Sequence, residues 1–141
     1  MDDEDIQILI KGELDNSLNK LIGSNKVAYC ALVNNRNQII HEKADEYEGG
    51  LSASTYYSVY NGLGFESEEK INYISLITDD YVHIITKVSD EYFLVSKVYE
   101  KEEEESIAQY MGVLVKFLKK NWLTKHDKIF KLKKKYKKSK M

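Results

Sequence analysis

The chain has 141 residues, of which 43% are apolar and 31% are charged, so it has the size and hydrophobicity of one globular domain with a modest core. Its apolar runs fall far short of the ~18 to 20 residues of a membrane-spanning helix, and its acidic first residues lack the basic region of a secretory signal. We therefore expect a cytoplasmic protein. A single cysteine excludes an internal disulfide, and three scattered histidines give no support to a zinc site.

Charge is divided unevenly along the chain. Residues 1–115 carry nine basic and 22 acidic side chains, a net charge of −13, whereas residues 116–141 carry twelve lysines and one aspartate, a net charge of +11. The formal total of −2 therefore hides an acidic body and a basic C-terminal segment. We expect a folded domain over residues 1–122 and a lysine-rich tail over residues 123–141.

The first half of the chain predicts a helix, two strands and a second helix. From Ile6 to Ile22 apolar residues recur every three or four positions before Gly23, which indicates an amphipathic helix with a glycine stop. Residues 27–33 are almost all apolar and lead through an asparagine-rich turn into a second strand over residues 38–42. Apolar residues at helical spacing then predict a helix over residues 51–63.

The second half predicts three strands and a last helix. Strand-like runs occupy residues 70–78, 81–88 and 92–99, and the gaps between them are so short that only antiparallel hairpins fit. Their apolar residues point to both sides, so both faces of the sheet must be covered. Apolar residues at helical spacing over residues 107–122 predict the last helix. The glutamates at 102–105 precede it, where the positive end of the helix dipole stabilises negative charge.

This order of elements resembles that of the roadblock family, named for dynein light chains, over roughly residues 4–122. The best matching stretches are residues 27–40 and 71–85. The family's first hairpin usually turns on an aspartate-glycine pair, which residues 35–37 replace, and Asn37 can adopt the positive φ that the turn needs. The resemblance implies an α/β (α+β) fold of roadblock/profilin-like type: a five-stranded antiparallel sheet with the first and last helices on one face and the middle helix on the other.

The resemblance also implies a function. Family members commonly form homodimers by pairing the strand after the middle helix edge to edge while the middle helices pack together, and the resulting platform binds small Ras-like GTPases or motor complexes. By this resemblance, the dimer edge of this chain is the strand within residues 71–77 and the pairing helix is residues 51–63. The clustered tyrosines of that helix suit an interface. Tyr56 and Tyr60 are expected to face the partner; the alternative is that these groups pack within their own chain. The predicted dimer and partner interface consists of Tyr56, Tyr57, Tyr60, Leu63, Ile71, Tyr73, Ile74 and Leu76.

No residue pattern indicates catalysis. The sequence offers no nucleophile beside a base, no phosphate-binding glycine loop and no metal-ligand cluster. Cys30 lies among apolar strand residues, where a free thiol behaves as a small buried hydrophobe, and His83 reads as a packed or surface imidazole. The absence of such patterns predicts a non-enzymatic protein without a cofactor, and the resemblance to the roadblock family implies a scaffold that regulates or recruits a small Ras-like GTPase.

The basic tail supports a second interpretation. Lysines are mixed there with apolar and aromatic residues. This composition can bind an anionic membrane surface, nucleic acid phosphates or an acidic protein surface, including the acidic body of this or another copy, or it merely keeps the chain in solution. The predicted anionic-surface residues are Lys131, Lys133, Lys134, Lys135, Lys137 and Lys138. A nucleic-acid-binding or peripheral membrane protein is thus one alternative function. A longin-like trafficking adaptor is another, although longin domains begin with a strand and this chain begins with a helix.

Overall fold

A computed structural model describes residues 3–45, 49–62, 72–78 and 80–123. The elements follow the predicted order, with bounds that differ by a few residues at most ends. They are α1 (Asp3–Ile22), β1 (Val27–Asn34), β2 (Ile39–Ala44), α2 (Ala53–Gly62), β3 (Ile74–Ile77), β4 (Val82–Lys87), β5 (Tyr92–Val98) and α3 (Glu104–Phe117). A short 3-10 turn, Lys101–Glu103, precedes α3, and a π-helical turn, Leu118–Leu123, follows it.

The five strands form one antiparallel sheet in the order β2-β1-β5-β4-β3, which confirms the predicted fold class. All eight residues of β1 are buried. The turn between β1 and β2 has Asn37 at φ 61°, as the sequence predicts. The third strand is shorter than its predicted range of 70–78, because its ladder with β4 begins at the pair Ile74 and Ile85 and residues 72–73 precede it; residues 70–71 lie outside the described part of the chain.

Helices cover both faces of the sheet, in the predicted arrangement. On one face, α1 and α3 pack large apolar side chains such as Leu18 and Met111 onto the sheet. On the other face, α2 packs Tyr56 and Tyr60 against strand residues that include Phe93. The sheet is therefore the middle of three layers, and each of its faces has a separate core.

Two contacts fix α1 against the first two strands. The Asp15 carboxylate accepts from His41 Nε2 at 2.7 Å and from Lys43 Nζ at 2.8 Å, and these bonds lower the pKa of Asp15 to about 2. The Cys30 thiol lies 3.4 Å from the carbonyl oxygen of Leu18, and burial raises its pKa to about 12. The prediction that Cys30 is a buried hydrophobe is confirmed.

Candidate partner interface

The α2 helix and the neighbouring edge of the sheet contain the residues that the sequence assigns to a partner. Two aromatic contacts hold the helix down. Tyr60 stacks on Phe93 of β5, with ring centroids 4.6 Å apart and an interplanar angle of 16°. Tyr57 stacks on Tyr60 at 6.4 Å and is itself only half-buried. The inner side of α2 is thus lined by aromatic rings, and the half-buried Tyr57 ring extends this aromatic layer to the surface.

A polar contact lies beneath the first turn of α2. The Tyr56 hydroxyl accepts the Leu51 N–H at 3.1 Å and lies 3.2 Å from His83 Nδ1 on β4, so it can donate its proton to that nitrogen. Burial raises the pKa of Tyr56 to about 12. Burial, together with the charge of Lys97, holds the pKa of His83 below its usual range. Both groups are therefore neutral at pH 7, and their hydrogen bond joins the helix to the sheet.

Lys97 lies beside this pair and connects the segment before α2 to the sheet. It stands opposite His83 in the β4–β5 ladder and is mostly buried. Its ammonium group donates to the Gly49 carbonyl oxygen at 3.0 Å and lies 4.0 Å from the centroid of the Tyr81 ring. A carbonyl dipole and an aromatic face compensate for the lost hydration of the buried cation.

Gly50 allows the chain to pass close to β1 on its way into α2. A Cβ atom at this position would lie 2.2 Å from the Tyr29 ring, well inside contact distance. The ring has little freedom to move, because Tyr29 is buried and its hydroxyl donates to Glu42. Glycine is therefore required here for close approach.

The β3 strand forms one edge of the sheet. Within the residues that the structure describes, it pairs with β4 on one side only. Ile74 faces the α2 side and is buried, and Leu76, two residues on, is half-buried. Ile77 points to the opposite face and keeps 60% of its surface exposed. An edge strand presents backbone donors and acceptors to which another strand can add, and β3 does so beside an exposed isoleucine.

The structure divides the predicted interface residues into three groups. Tyr56 and Tyr60 are buried in the core of their own chain, so the expectation that they face a partner is corrected: with a spacing of four they share the inner side of α2. Tyr57, Tyr73 and Leu76 are half-buried, and Ile74 is mostly buried. Leu63, Ile71 and the six predicted lysines of the tail lie outside the described residues.

Sequence reasoning did not identify His83 as a partner of α2 or Lys97 as a partner of the segment before it. The sequence contained a weak signal for them, because His83 lies between two apolar residues and Lys97 is the one charged residue of its strand. Their pairing depends on the register of β4 against β5 and on a contact between positions 56 and 83, neither of which local periodicity contains. Ile77 belonged to the predicted edge but was not among the residues assigned to the interface.

No helix in the described part of the chain has the length and hydrophobicity of a membrane span. Within the same residues, no group of three or more His, Cys, Asp or Glu side chains is placed to hold a metal ion.

Comparison with known proteins identifies the fold. No family model matches the sequence. No curated protein matches it either. Among solved structures, a Roadblock/LC7 domain from Streptomyces avermitilis is 12% identical, with the alignment covering 77% of this chain and 97% of that domain at a TM-score of 0.61. MglC from Myxococcus xanthus is 13% identical over 75% of this chain and 96% of its own, at a TM-score of 0.55. A profilin from Schizosaccharomyces pombe is 16% identical over 74% of this chain and 91% of its own, at 0.53. The chain therefore has a roadblock-type fold, an α+β arrangement that it shares with the profilins.

Proposed function

We propose that the protein is a homodimeric scaffold that binds a small Ras-like GTPase and recruits or regulates it. The observation that carries this proposal is the position of β3, an edge strand that pairs on one side only within the described residues and ends in the exposed Ile77. The similarity of the fold to a Roadblock/LC7 domain and to MglC supports the same assignment, because the roadblock family resembled by this sequence dimerises at the corresponding strand.

The proposed dimer needs the helix as well as the strand. A four-residue strand adds few backbone hydrogen bonds to a paired edge, and each contributes only about 0.5 to 1.5 kcal/mol. A stable interface buries about 1,200 to 2,000 Å² of surface in total. We infer that Tyr57 on α2 and Tyr73 and Leu76 beside the edge, all half-buried in the single chain, supply further contact area.

Binding, and not catalysis by this chain, is the proposed role. Arg36 is the only arginine in the sequence, and it lies in the turn between β1 and β2. Because β2 is the edge of the sheet opposite β3, four strand spacings of ~4.8 Å separate the two edges. The one arginine therefore lies at the sheet edge opposite the proposed interface, which makes it a poor source of an arginine finger, and we propose that this chain acts by positioning the partner's own groups.

The dimer is tested by sedimentation of the full chain and of two charged variants. Ile77→Lys places a lysine on the edge strand, which opposes strand pairing, and we expect it to be monomeric where the wild type is dimeric. Val113→Lys is the matched control, since Val113 is 63% exposed against 60% for Ile77 but lies on α3. Ile74 is unsuitable because it is buried, so a charge there would also unfold the chain. A monomeric wild type at micromolar concentration would refute the dimer.

The GTPase is tested by affinity capture from the native source, loaded in parallel with GDP or a non-hydrolysable GTP analogue. We expect the wild type and Val113→Lys to enrich the same Ras-like GTPase in a nucleotide-dependent manner, and Ile77→Lys to lose it. Purified GTPase must then bind directly. If no GTPase is enriched by a dimeric wild type, the platform proposal fails although the dimer stands.

The charge of the C-terminal segment favours a second candidate function. Twelve lysines and one aspartate in residues 116–141 give +11, a charge suited to anionic lipid or to nucleic acid phosphates. Binding of the full chain and of a chain ending at residue 123 should be compared on anionic vesicles, DNA and RNA over a range of salt concentrations. Binding that disappears with the tail and weakens with salt would support this role. Equal binding by both chains would contradict it.

A further inference from the structure

The outer side of α3 presents two large apolar side chains to solvent. Val113 is 63% exposed and Phe117 is 40% exposed. A spacing of four residues places them next to each other on one side of the helix, and we call this pair the α3 patch. The other large apolar side chains that are exposed within the described residues lie on the two edge strands of the sheet: Ile39, Ile40 and Ile77.

Lysines surround the α3 patch. The ammonium group of Lys20, in the last turn of α1, lies 5.7 Å from the centroid of the Phe117 ring. Lys116 precedes Phe117 in the last turn of α3, and Lys120 follows in the π-helical turn. All three lysines are exposed. The negative end of a helix dipole favours lysine in a last turn, but it does not account for the exposed apolar pair among them.

The charge around the patch is opposite to that of the domain as a whole. Residues 106–126 contain four lysines and no aspartate or glutamate, whereas residues 1–115 carry a net charge of −13. The last acid of α1 is Asp15, and its carboxylate is paired with His41 and Lys43 on β2. A local excess of positive charge beside exposed apolar groups is therefore a property of this surface.

An anionic bilayer matches both properties. Lysine ammonium groups bind the charged headgroups, while apolar side chains enter the boundary between headgroups and acyl chains. Nucleic acid matches the charge only, because the most exposed side chain, Val113, has no ring that can stack on a base. A second copy of this chain matches the apolar pair only, since pairing of the two patches would bring like charges together.

We propose that the α3 patch is the lipid-contacting surface of the folded domain, and that it holds the protein on an anionic membrane with Val113 and Phe117 inserted among the headgroups. Two side chains insert little apolar area, so stable binding needs a second signal, which the +11 of residues 116–141 supplies. The proposal rests on the lipid alternative of the second candidate function. It is independent of the dimer and the GTPase, because α3 and α2 cover opposite faces of the sheet.

The test is flotation of the full chain with vesicles of phosphatidylcholine alone and of equal parts of phosphatidylcholine and phosphatidylserine. We expect the wild type to bind the second kind only, and more weakly as salt is added. Val113→Ser and Phe117→Ser keep every charge, and each should weaken binding about tenfold without changing its dependence on salt. Ile39→Ser on β2 is the matched control, since Ile39 is 38% exposed, and it should bind like the wild type.

A charge variant measures the electrostatic part. Lys116→Gln should weaken binding about fivefold and make it less dependent on salt, because a lysine near an anionic surface contributes a factor of this size. Lys101→Gln is its control. Lys101 is also exposed, but it lies in the turn before α3, at the other end of the helix, so its loss should have a much smaller effect.

A fluorescent label shows which surface enters the lipid. Because Cys30 is buried, an environment-sensitive dye can be attached to a cysteine introduced by Val113→Cys or, as the control, by Ile39→Cys. We expect the emission of the dye at position 113 to shift to the blue on anionic vesicles. The dye at position 39 should show no shift.

Three results would overturn the proposal. If Val113→Ser and Phe117→Ser both bind like the wild type, the tail alone binds lipid, so the second candidate function stands and the α3 patch has no part in it. If the wild type does not bind anionic vesicles, both are wrong. If Phe117→Ser changes the oligomeric state without lipid, or weakens binding to RNA but not to vesicles, the patch contacts a second copy or nucleic acid. Thermal unfolding of each variant establishes that it is folded.

Discussion

The two faces of the sheet are covered in different ways. Under α1 and α3 the core is mainly a layer of leucine, isoleucine, valine and methionine side chains, and the buried polar side chains on this face include the hydroxyls of Thr86 and Ser96. Under α2 it is smaller and contains tyrosines, and the same face buries the polar side chains of His83 and Lys97. The stability of the first face depends on how well apolar volume is filled, so hydrophobic side chains of similar size and shape can replace one another there. The second face depends on particular hydrogen bonds between particular residues.

This difference makes α2 the more sensitive element. The helix has ten residues, below the ~12 to 15 at which an isolated helix becomes marginally stable in water. Tertiary contacts must therefore hold it in place. The helix itself is held by the hydrogen bond from Tyr56 to His83. The segment before it is held by the contacts of Gly49 with Lys97 and of Gly50 with Tyr29, and each of these contacts depends on a single side chain or a single missing Cβ atom.

The largest effect is expected from a cavity under α1 and α3. Leu18 is fully buried, and Leu18→Ala should lower the free energy of unfolding by about 2 to 5 kcal/mol, measured by urea denaturation. Val113→Ala, at an exposed position on α3, should change it by less than about 0.5 kcal/mol. Similar losses at both positions would contradict the description of this face as a closely packed apolar layer.

The next largest effect is expected at the entry to α2. Gly50→Ala would place a methyl group 2.2 Å from the Tyr29 ring. We therefore expect the free energy of unfolding, measured by heat or urea, to fall by about 1 to 3 kcal/mol. Gly49→Ala, one residue earlier, meets nothing within 4 Å and should be neutral or slightly stabilising. If both substitutions have the same effect, the close approach at Gly50 is not what holds this segment.

A smaller effect is expected when the Tyr56 hydroxyl is removed. Tyr56→Phe leaves the Leu51 N–H and His83 without their partner, which should lower the free energy of unfolding by about 1 kcal/mol. Hydrogen exchange should quicken in α2 more than in β1. Tyr57→Phe is the control on the same helix, since its ring is only half-buried, and it should be neutral.

The smallest effect is expected from pH. The pKa of His83 lies below 6.5 in the folded chain, so the unfolded chain binds a proton first as the pH falls. Stability should therefore decrease on acidification from pH 7, by less than about 0.7 kcal/mol down to pH 6 for one group with an unfolded pKa near 6.5. The difference between the unfolding curves of the wild type and His83→Gln isolates this contribution. If His83→Gln has the same pH dependence of stability as the wild type, His83 does not contribute to that dependence.

Local periodicity was sufficient for the order of the elements. The spacing of apolar residues identified α1 and α3, the short apolar runs between turns identified the strands, and Asn37 was correctly expected to adopt positive φ. The placement of the helices on the two faces came from the resemblance to the roadblock family. The structure confirms both.

Periodicity could not decide which side of α2 meets which neighbour. A helix with tyrosines at positions 56, 57 and 60 has two aromatic sides, and the same pattern suits a core or an interface. Tyr56 and Tyr60 face the sheet because Phe93 and His83 lie beneath them, and those two residues come from distant parts of the sequence.

The burial of Cys30 makes the protein a convenient subject for thiol chemistry. It is the only cysteine in the chain, and its high pKa and complete burial keep it from reacting with alkylating reagents while the chain is folded. A cysteine introduced at Ile77 or Val113 can thus be labelled or cross-linked selectively without replacing the native one. In the unmodified chain, the rate at which a thiol reagent reaches Cys30 reports how often the layer between α1 and the sheet opens.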